Sequence, residues 1–194
     1  MNTPIQCVAF DGTRRIASGK LPEVTVRVQK HGSPSTLIFD DSTSELIETV
    51  EDSSGIKRCS LRKTEPATGE ARAPGRPKLG VIAREVTLLP RHWDWLNLQP
   101  GGASVALRRL VEEARRVNRD SDRVRLAQES AYRFMSALAG NEEGFEEAIR
   151  GLFAGDANRF AQHCRTWPED VREHAARLAA RAFEGSESQN ERRS

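Results

Sequence analysis

The chain has 194 residues, of which 37% are hydrophobic and 30% are charged, and its formal net charge is +2. This length suits one large domain or two small ones, and no apolar stretch approaches the ~20 residues that a membrane-spanning helix needs. The three cysteines, Cys7, Cys59 and Cys164, are far apart and show no metal-ligand spacing. This pattern argues against a disulfide framework and for a reducing compartment, so we expect a cytoplasmic protein with no membrane segment.

Residues 1–56 have the pattern of a small β-rich module. Short apolar runs bounded by turn residues predict strands at 5–10, 15–18, 35–39 and 46–50. Between them, Val24, Val26 and Val28 alternate with polar residues, which favours a strand, whereas Leu21-Pro22-Glu23 is typical of a helix start. Both interpretations of residues 22–30 stay open.

Residues 57–79 are rich in proline and glycine and predict a linker. Within them, Pro74-Gly75-Arg76-Pro77-Lys78 resembles the core of an AT-hook, an extended arm that binds the minor groove of DNA. Proline keeps such an arm narrow, so that Arg76 can enter a groove of deep negative potential while Lys78 follows the phosphates. The alternative is an ordinary linker with solubilising charges.

Residues 80–117 predict a strand, a short helix and a longer helix. The strand is expected at 80–90 and ends at Pro90, and the glycines of Pro100-Gly101-Gly102 end the short helix. Ser104 then opens a helix with one apolar face and several arginines outside it. Residues 120–184 are predicted as a helical region, and residues 185–194 as a disordered tail. Strands early and helices late predict an α+β fold.

The positive charge is concentrated in the middle of the chain. Residues 71–120 hold ten Lys and Arg against five Asp and Glu, whereas the two flanking parts are slightly acidic. A local basic excess favours a polyanionic partner, and arginine suits phosphates and guanines because its guanidinium donates two parallel hydrogen bonds.

The order and spacing of residues 80–117 resemble the ribbon-helix-helix family of bacterial DNA-binding proteins. In that family, strands of two subunits pair into a ribbon that enters the major groove, and the start of the second helix binds a phosphate. The resemblance implies a homodimer bound to double-stranded DNA. It makes Glu85 and Thr87 the outward, base-facing residues and Gly102 and Ser104 the phosphate-facing helix start. Arg84 is a further candidate base reader, although strand alternation puts it on the inward side. The alternative is a strand and helical hairpin within one globular fold.

Four runs of the chain resemble an uncharacterised bacterial family catalogued as domain of unknown function 2239. They are GRPKLGVIAREVTLLPRHWDWL at 75–96, PGGASVALRRLVEEARR at 100–116, YRFMSALAG at 132–140 and WPEDVREHA at 167–175. The resemblance spans most of the chain and implies a bacterial origin, but it implies no activity.

Residue patterns of enzymes and metal sites are missing from the sequence. The four histidines fit no zinc motif and are interpreted as residues of helix surfaces, and Asp40-Asp41 is interpreted as a hairpin turn. We therefore expect no enzyme, no cofactor and no metal. The sequence favours a DNA-binding transcription regulator, and the alternative is a protein-interaction adaptor that does not bind DNA.

Overall fold

The computed structural model describes residues 5–51, 57–60 and 84–191. The chain divides into two compact units. The first unit combines residues 1–62 with residues 120–194, and the second unit is residues 63–119. The fold is mixed, with strands near the N-terminus and helices in the rest of the described chain, which confirms the predicted α+β class.

A three-stranded antiparallel sheet opens the first unit. Its strands are β1 (Gln6–Asp11), β2 (Arg14–Lys20) and β3 (Leu37–Asp40), in the order β2-β1-β3. A turn follows β3, so the turn predicted at Asp40-Asp41 is confirmed. The Asp40 carboxylate accepts hydrogen bonds from the backbone N–H groups of Ser42 and Thr43, at 2.8 and 2.9 Å. Partial burial acts to raise the pKa of this carboxyl, but hydrogen bonds from the Ser42 hydroxyl and from the two backbone N–H groups stabilise its charged form, so the pKa is lowered.

A second, two-stranded sheet pairs β4 (Glu48–Glu51) with β5 (Lys57–Ser60) in antiparallel register. The sequence assigns residues 57–60 to the linker, and this assignment is wrong. The segment is too polar to be recognised as a strand. An antiparallel ladder is made by backbone groups, however, so a polar segment can pair when a neighbouring strand is available.

The ambiguous segment after β2 is helix α1 (Leu21–His31). Proline in the first turn suits a helix start because its missing N–H would have no partner there. Val24 and Val28 are four residues apart, so a helix puts both on one face, and both are buried against the sheet. Val26 falls on the opposite face and is exposed, which a strand with all three valines inside would not allow.

Four helices complete the first unit. They are α4 (Arg119–Leu138), α5 (Phe145–Ala154), α6 (Ala157–His163) and α7 (Glu169–Glu191). Helix α7 continues through residues 185–191, so the prediction of a disordered tail from residue 185 is wrong over that range. Each added helical residue fixes one more backbone hydrogen bond, and this part of the chain has no proline to stop the helix.

The sheet and the late helices share one hydrophobic core. Alternation along β1 turns Cys7 and Ala9 toward α1, and turns Val8 and Phe10 toward a cluster built by α4 to α7. At the centre of that cluster, the Phe134 ring lies 5.2 Å from Phe10 between ring centroids. The sequence divides these residues into an N-terminal module and a separate helical region, whereas the structure joins them in one unit because each buries the other's apolar face.

Three hydrophilic residues are buried in the part of the chain that the structure describes. Ser44 and Ser130 are buried, and their hydroxyl oxygens lie 2.9 Å apart. His174 is only 1% exposed, so its interpretation as a surface histidine is wrong. Burial also raises the pKa of the Cys164 thiol to about 12, which keeps this free cysteine protonated and inert.

The second unit contains helices α2 (Pro90–Asn97) and α3 (Gly102–Val117). Residues 84–89, which precede α2, are in no strand, contrary to the strand predicted at 80–90; residues 80–83 lie outside the described residues. A strand exists only when a neighbour accepts its backbone hydrogen bonds, and no such neighbour is present among the described residues.

In the parts of the chain that the structure describes, no helix is both long and apolar enough to cross a membrane.

Candidate functional site

The α2–α3 hairpin is the part of the chain that carries most of the predicted site residues. It turns through Gly101 and Gly102, whose φ angles of 82° and 73° lie in the left-handed region that favours glycine. A Cβ atom on Gly101 would lie 3.1 Å from the Val105 Cβ, so the turn also needs the small residue for space. The two glycines thereby set where α3 begins.

Few side chains of the hairpin are buried. Leu96 of α2 and Ala106 of α3 are the buried residues of the two helices. Around them, a cavity of about 290 Å³ is lined by Leu88, His92, Trp95, Leu96, Leu107 and Leu110. The lining is almost entirely apolar, so the hairpin is open on the side where a hydrophobic core would normally continue.

Large apolar side chains of this unit are exposed. Leu98, at the end of α2, is 83% exposed, and Val111 in the middle of α3 is 52% exposed. Others that are exposed are Val86, Leu89, Trp93, Trp95, Val105, Leu110 and Val117. Many exposed apolar side chains on so small a unit are typical of an interaction surface, because water disfavours them. We call the exposed apolar residues of residues 84–117 the apolar face of the hairpin.

The arginines of residues 84–117 differ in their partners, and Arg108 donates to the Ser104 carbonyl of its own helix at 3.1 Å. Arg115 and Arg116, near the end of α3, pair with glutamates one turn earlier, at 3.0 and 2.6 Å. Arg84, Arg91 and Arg109 are exposed and have no carboxylate partner among the residues that the structure describes. The unpaired group can therefore bind a phosphate without breaking an existing ion pair.

The predicted site residues fall on two neighbouring segments. Arg84, Glu85 and Thr87 are exposed in the segment before α2, and Gly102 and Ser104 lie in the first turn of α3. The Gly102 N–H donates to the Gln99 carbonyl at 2.9 Å and is not available to a phosphate, so the phosphate prediction depends on the N–H groups that follow it in the first turn, which have no partner within the helix. Arg76 and Lys78 of the predicted arm lie outside the described residues. Val86, which strand alternation would put on the inward side together with Arg84, is exposed in the single chain.

The sequence does not predict how much of the apolar face is exposed to solvent. It predicts one apolar face on α3, which contains Leu107, Leu110, Val111 and Ala114, and such a face is usually packed against a core. In the structure, Leu110 and Val111 are exposed and Leu107 is half-buried. Periodicity identifies which residues share a face, but it carries no information on whether the same chain supplies the covering surface.

Three comparisons with known proteins bear on this arrangement. No curated protein and no solved structure matches the chain. A family model described as an uncharacterized protein conserved in bacteria, domain of unknown function 2239, matches residues 6–179. The match runs from β1 through the hairpin and into α7, so it includes parts of both compact units. The chain belongs to this bacterial family, domain of unknown function 2239.

Proposed function

We propose that the chain is a DNA-binding protein, and that residues 84–117 form with a second copy the two-chain unit that contacts double-stranded DNA. The observation that carries the proposal is that the described part of the single chain leaves the hairpin uncovered and the segment before it unpaired. Residues 84–89, which have no strand partner among the described residues, lead into two helices whose apolar face is exposed. Half of an intertwined dimer has these properties when it is viewed as a single chain.

A second copy accounts for the apolar face. Two helices are too small to bury their apolar side chains against each other alone, and units of this size are usually completed by oligomerisation. A symmetric dimer would pair Val111, Leu110 and Leu98 with the same surface on the partner, since a two-fold interface uses one patch twice. It would also give residues 84–89 a strand partner and so satisfy their backbone hydrogen bonds.

Charge supports DNA as the ligand of this unit. Arg84, Arg91 and Arg109 are exposed and unpaired among the described residues, so their full charge is available to phosphates. After Gly102, whose N–H donates to Gln99, the first turn of α3 adds N–H groups of Ala103 and Ser104 that suit a phosphate. In this arrangement Glu85 and Thr87 face base edges, and Arg76 and Lys78 extend the contact along the backbone or the minor groove.

A second candidate function is that of a protein-interaction adaptor. The specific observation in its favour is the same apolar face, which suits an amphipathic protein partner as well as a second copy. The two candidates differ in what they require of the arginines. DNA binding needs Arg84, Arg91 and Arg109, whereas an adaptor built on the apolar face does not.

The proposed function is tested by fluorescence anisotropy of labelled double-stranded DNA, titrated with the full-length protein at several salt concentrations. We expect binding to weaken linearly on a plot of log affinity against log salt, because protein cations release counterions from DNA. Arg84→Ala/Arg91→Ala removes two proposed phosphate contacts and is expected to reduce the magnitude of that slope by about 2. Arg76→Ala/Lys78→Ala tests the arm in the same way.

The matched control is Arg27→Ala/Arg181→Ala. It also removes two exposed arginines, but from α1 and α7 of the first unit, and it is expected to leave the slope unchanged. Flat anisotropy at low salt would exclude DNA binding and leave the adaptor as the better proposal. If the test and control variants reduced the salt slope equally, the attraction of the protein to DNA would depend only on its net charge.

A further inference from the structure

A polar cavity lies in the first unit, between the sheet and α7. Its volume is about 320 Å³, the size of a small-molecule site. Strands β1 and β2 and helix α7 supply most of its lining, and the turn after β3 supplies Asp41. The polar and charged lining residues are Gln6, Arg15, Ser18, Asp41, His174 and Arg177. This cavity is separate from the hairpin, and the inference drawn from it does not depend on DNA binding.

His174 presents an unsatisfied imidazole to the cavity. Its ring packs 4.4 Å from the Phe134 ring and 5.5 Å from the Phe10 ring, between centroids, which fixes the ring orientation. One nitrogen of Arg177, Nη2, lies 3.2 Å from Nδ1 and 3.3 Å from Nε2. An in-plane hydrogen bond points at one ring nitrogen, so nearly equal distances to both put the guanidinium over the face of the ring.

A guanidinium only donates hydrogen bonds, so Arg177 cannot accept the imidazole N–H. No other hydrogen-bond partner of His174 is present among the described residues. The ring is 1% exposed, and burial, with Arg177 nearby, lowers its pKa to about 4. At neutral pH the ring is therefore uncharged and carries one N–H donor and one acceptor. A buried donor without an acceptor is costly, so a water or a ligand in the cavity would relieve it.

The two arginines of the cavity differ in how much charge they offer. Arg177 forms two bonds to the Asp41 carboxylate, at 2.5 and 3.1 Å, so most of its charge is compensated. Arg15 makes a single, long contact of 3.4 Å to Glu173, whose side chain is exposed. The backbone N–H of Arg15 is held by Asp170 at 2.8 Å, which keeps the residue in place independently of its side chain. Arg15 is therefore the cation that an incoming anion can recruit.

We propose that this cavity binds a small metabolite carrying an oxyanion, either a carboxylate or a phosphate, between the Arg15 guanidinium and the ring N–H of His174. Both groups donate, and a charge-assisted pair with arginine is the strong form of such recognition. Gln6 and Ser18 add donors and acceptors that can bind the rest of the molecule. Because α7 and the sheet line this cavity, the proposal gives the first unit a ligand-binding function in addition to its structural one.

The test measures thermal unfolding of the full-length protein with inorganic phosphate and, separately, with acetate, each against sodium chloride at the same ionic strength. Ligand that binds only the folded state raises the melting temperature. We expect at least one of the two anions to raise it at millimolar concentration and to shift the NMR signals of the His174 ring. A response to phosphate alone assigns a phosphate ester, and a response to acetate alone assigns a carboxylic acid.

Arg15→Gln is expected to weaken the anion response about tenfold while leaving the fold intact, because its backbone contact remains. His174→Phe, which keeps the ring packing, is expected to weaken it as well. Arg181→Gln, an exposed arginine on α7 away from the cavity lining, is the control and keeps the full response. The proposal is overturned if neither anion exceeds the chloride reference, or if Arg15→Gln responds as fully as Arg181→Gln.

Discussion

His174 lies on the buried face of α7 although Arg172 and Glu173, which precede it, are charged. It is three residues after Val171 and four before Leu178, and both of these are buried. This spacing puts all three on one helical face, and it is the sequence signal that identifies His174 as an inside residue. The general preference of histidine for surfaces favours the opposite interpretation. Nothing in the sequence indicates that Arg177 and Asp41 form an ion pair beside the ring, because the two residues are distant along the chain.

The low pKa of His174 predicts a specific dependence of stability on pH. Burial is the largest cause of the shift, Arg177 and Arg15 add to it, and Asp41 opposes it. An unfolded chain binds a proton at this histidine below about pH 6.5, whereas the folded chain resists protonation until about pH 4. The group therefore stabilises the fold above pH 6.5, and this contribution is lost as the pH falls toward 4. The loss is about 3 kcal/mol.

Urea unfolding of the wild type and His174→Phe at pH 7 and at pH 4.5 measures this contribution. We expect the acid-induced drop in the free energy of unfolding to be smaller by about 2–3 kcal/mol in His174→Phe. His31→Phe, at an exposed histidine of α1, controls for the loss of a histidine. An unchanged drop in His174→Phe would contradict a buried, neutral imidazole.

At the scale of elements, the sequence predicts most of the helices and strands, and its errors have local causes. The strands of the first sheet follow from short apolar runs bounded by turns. Helix α1 stays ambiguous because a run of valines at every second position fits a strand, while two of the three also fit one helical face. Strand β5 is missed because it is polar. Residues 84–89 look like a strand, but the described chain offers them no partner.

The junction of α5 and α6 gives a prediction at this scale. Gly151 is inside α5 and is buried, and a Cβ atom there would lie 2.7 Å from the backbone nitrogen of Phe160 in α6. Glycine is thus required by the close approach of two backbones. In an exposed helix Gly→Ala stabilises by about 0.5–1 kcal/mol. Here we expect Gly151→Ala to destabilise by about 1–3 kcal/mol, since the two helices must separate. Chemical denaturation that found a gain in stability would contradict this close contact.

At the scale of the whole molecule, the two compact units have different properties. The first unit has a closed core, in which Phe134 and Leu152 are fully buried, and it joins chain segments from both sides of the hairpin in sequence. The second unit has an apolar face that its own described residues leave exposed. Composition and periodicity predict the helices of both units. They cannot predict that distant segments pack into one unit while the segment between them does not, because that is decided by long-range complementarity.

The most direct test of the central claim, that the hairpin is half of a two-chain DNA-binding unit, combines analytical ultracentrifugation with DNA anisotropy on Val111→Glu. A carboxylate at this position would be buried unpaired in a dimer, but it is readily hydrated in a monomer. Val26→Glu on α1 is the matched control, since Val26 is 50% exposed and Val111 is 52% exposed. We expect the wild type and Val26→Glu to sediment as dimers and to bind DNA, and Val111→Glu to sediment as a monomer that has lost salt-dependent DNA binding. A wild-type monomer, or a monomeric Val111→Glu that keeps wild-type DNA affinity, would contradict the account.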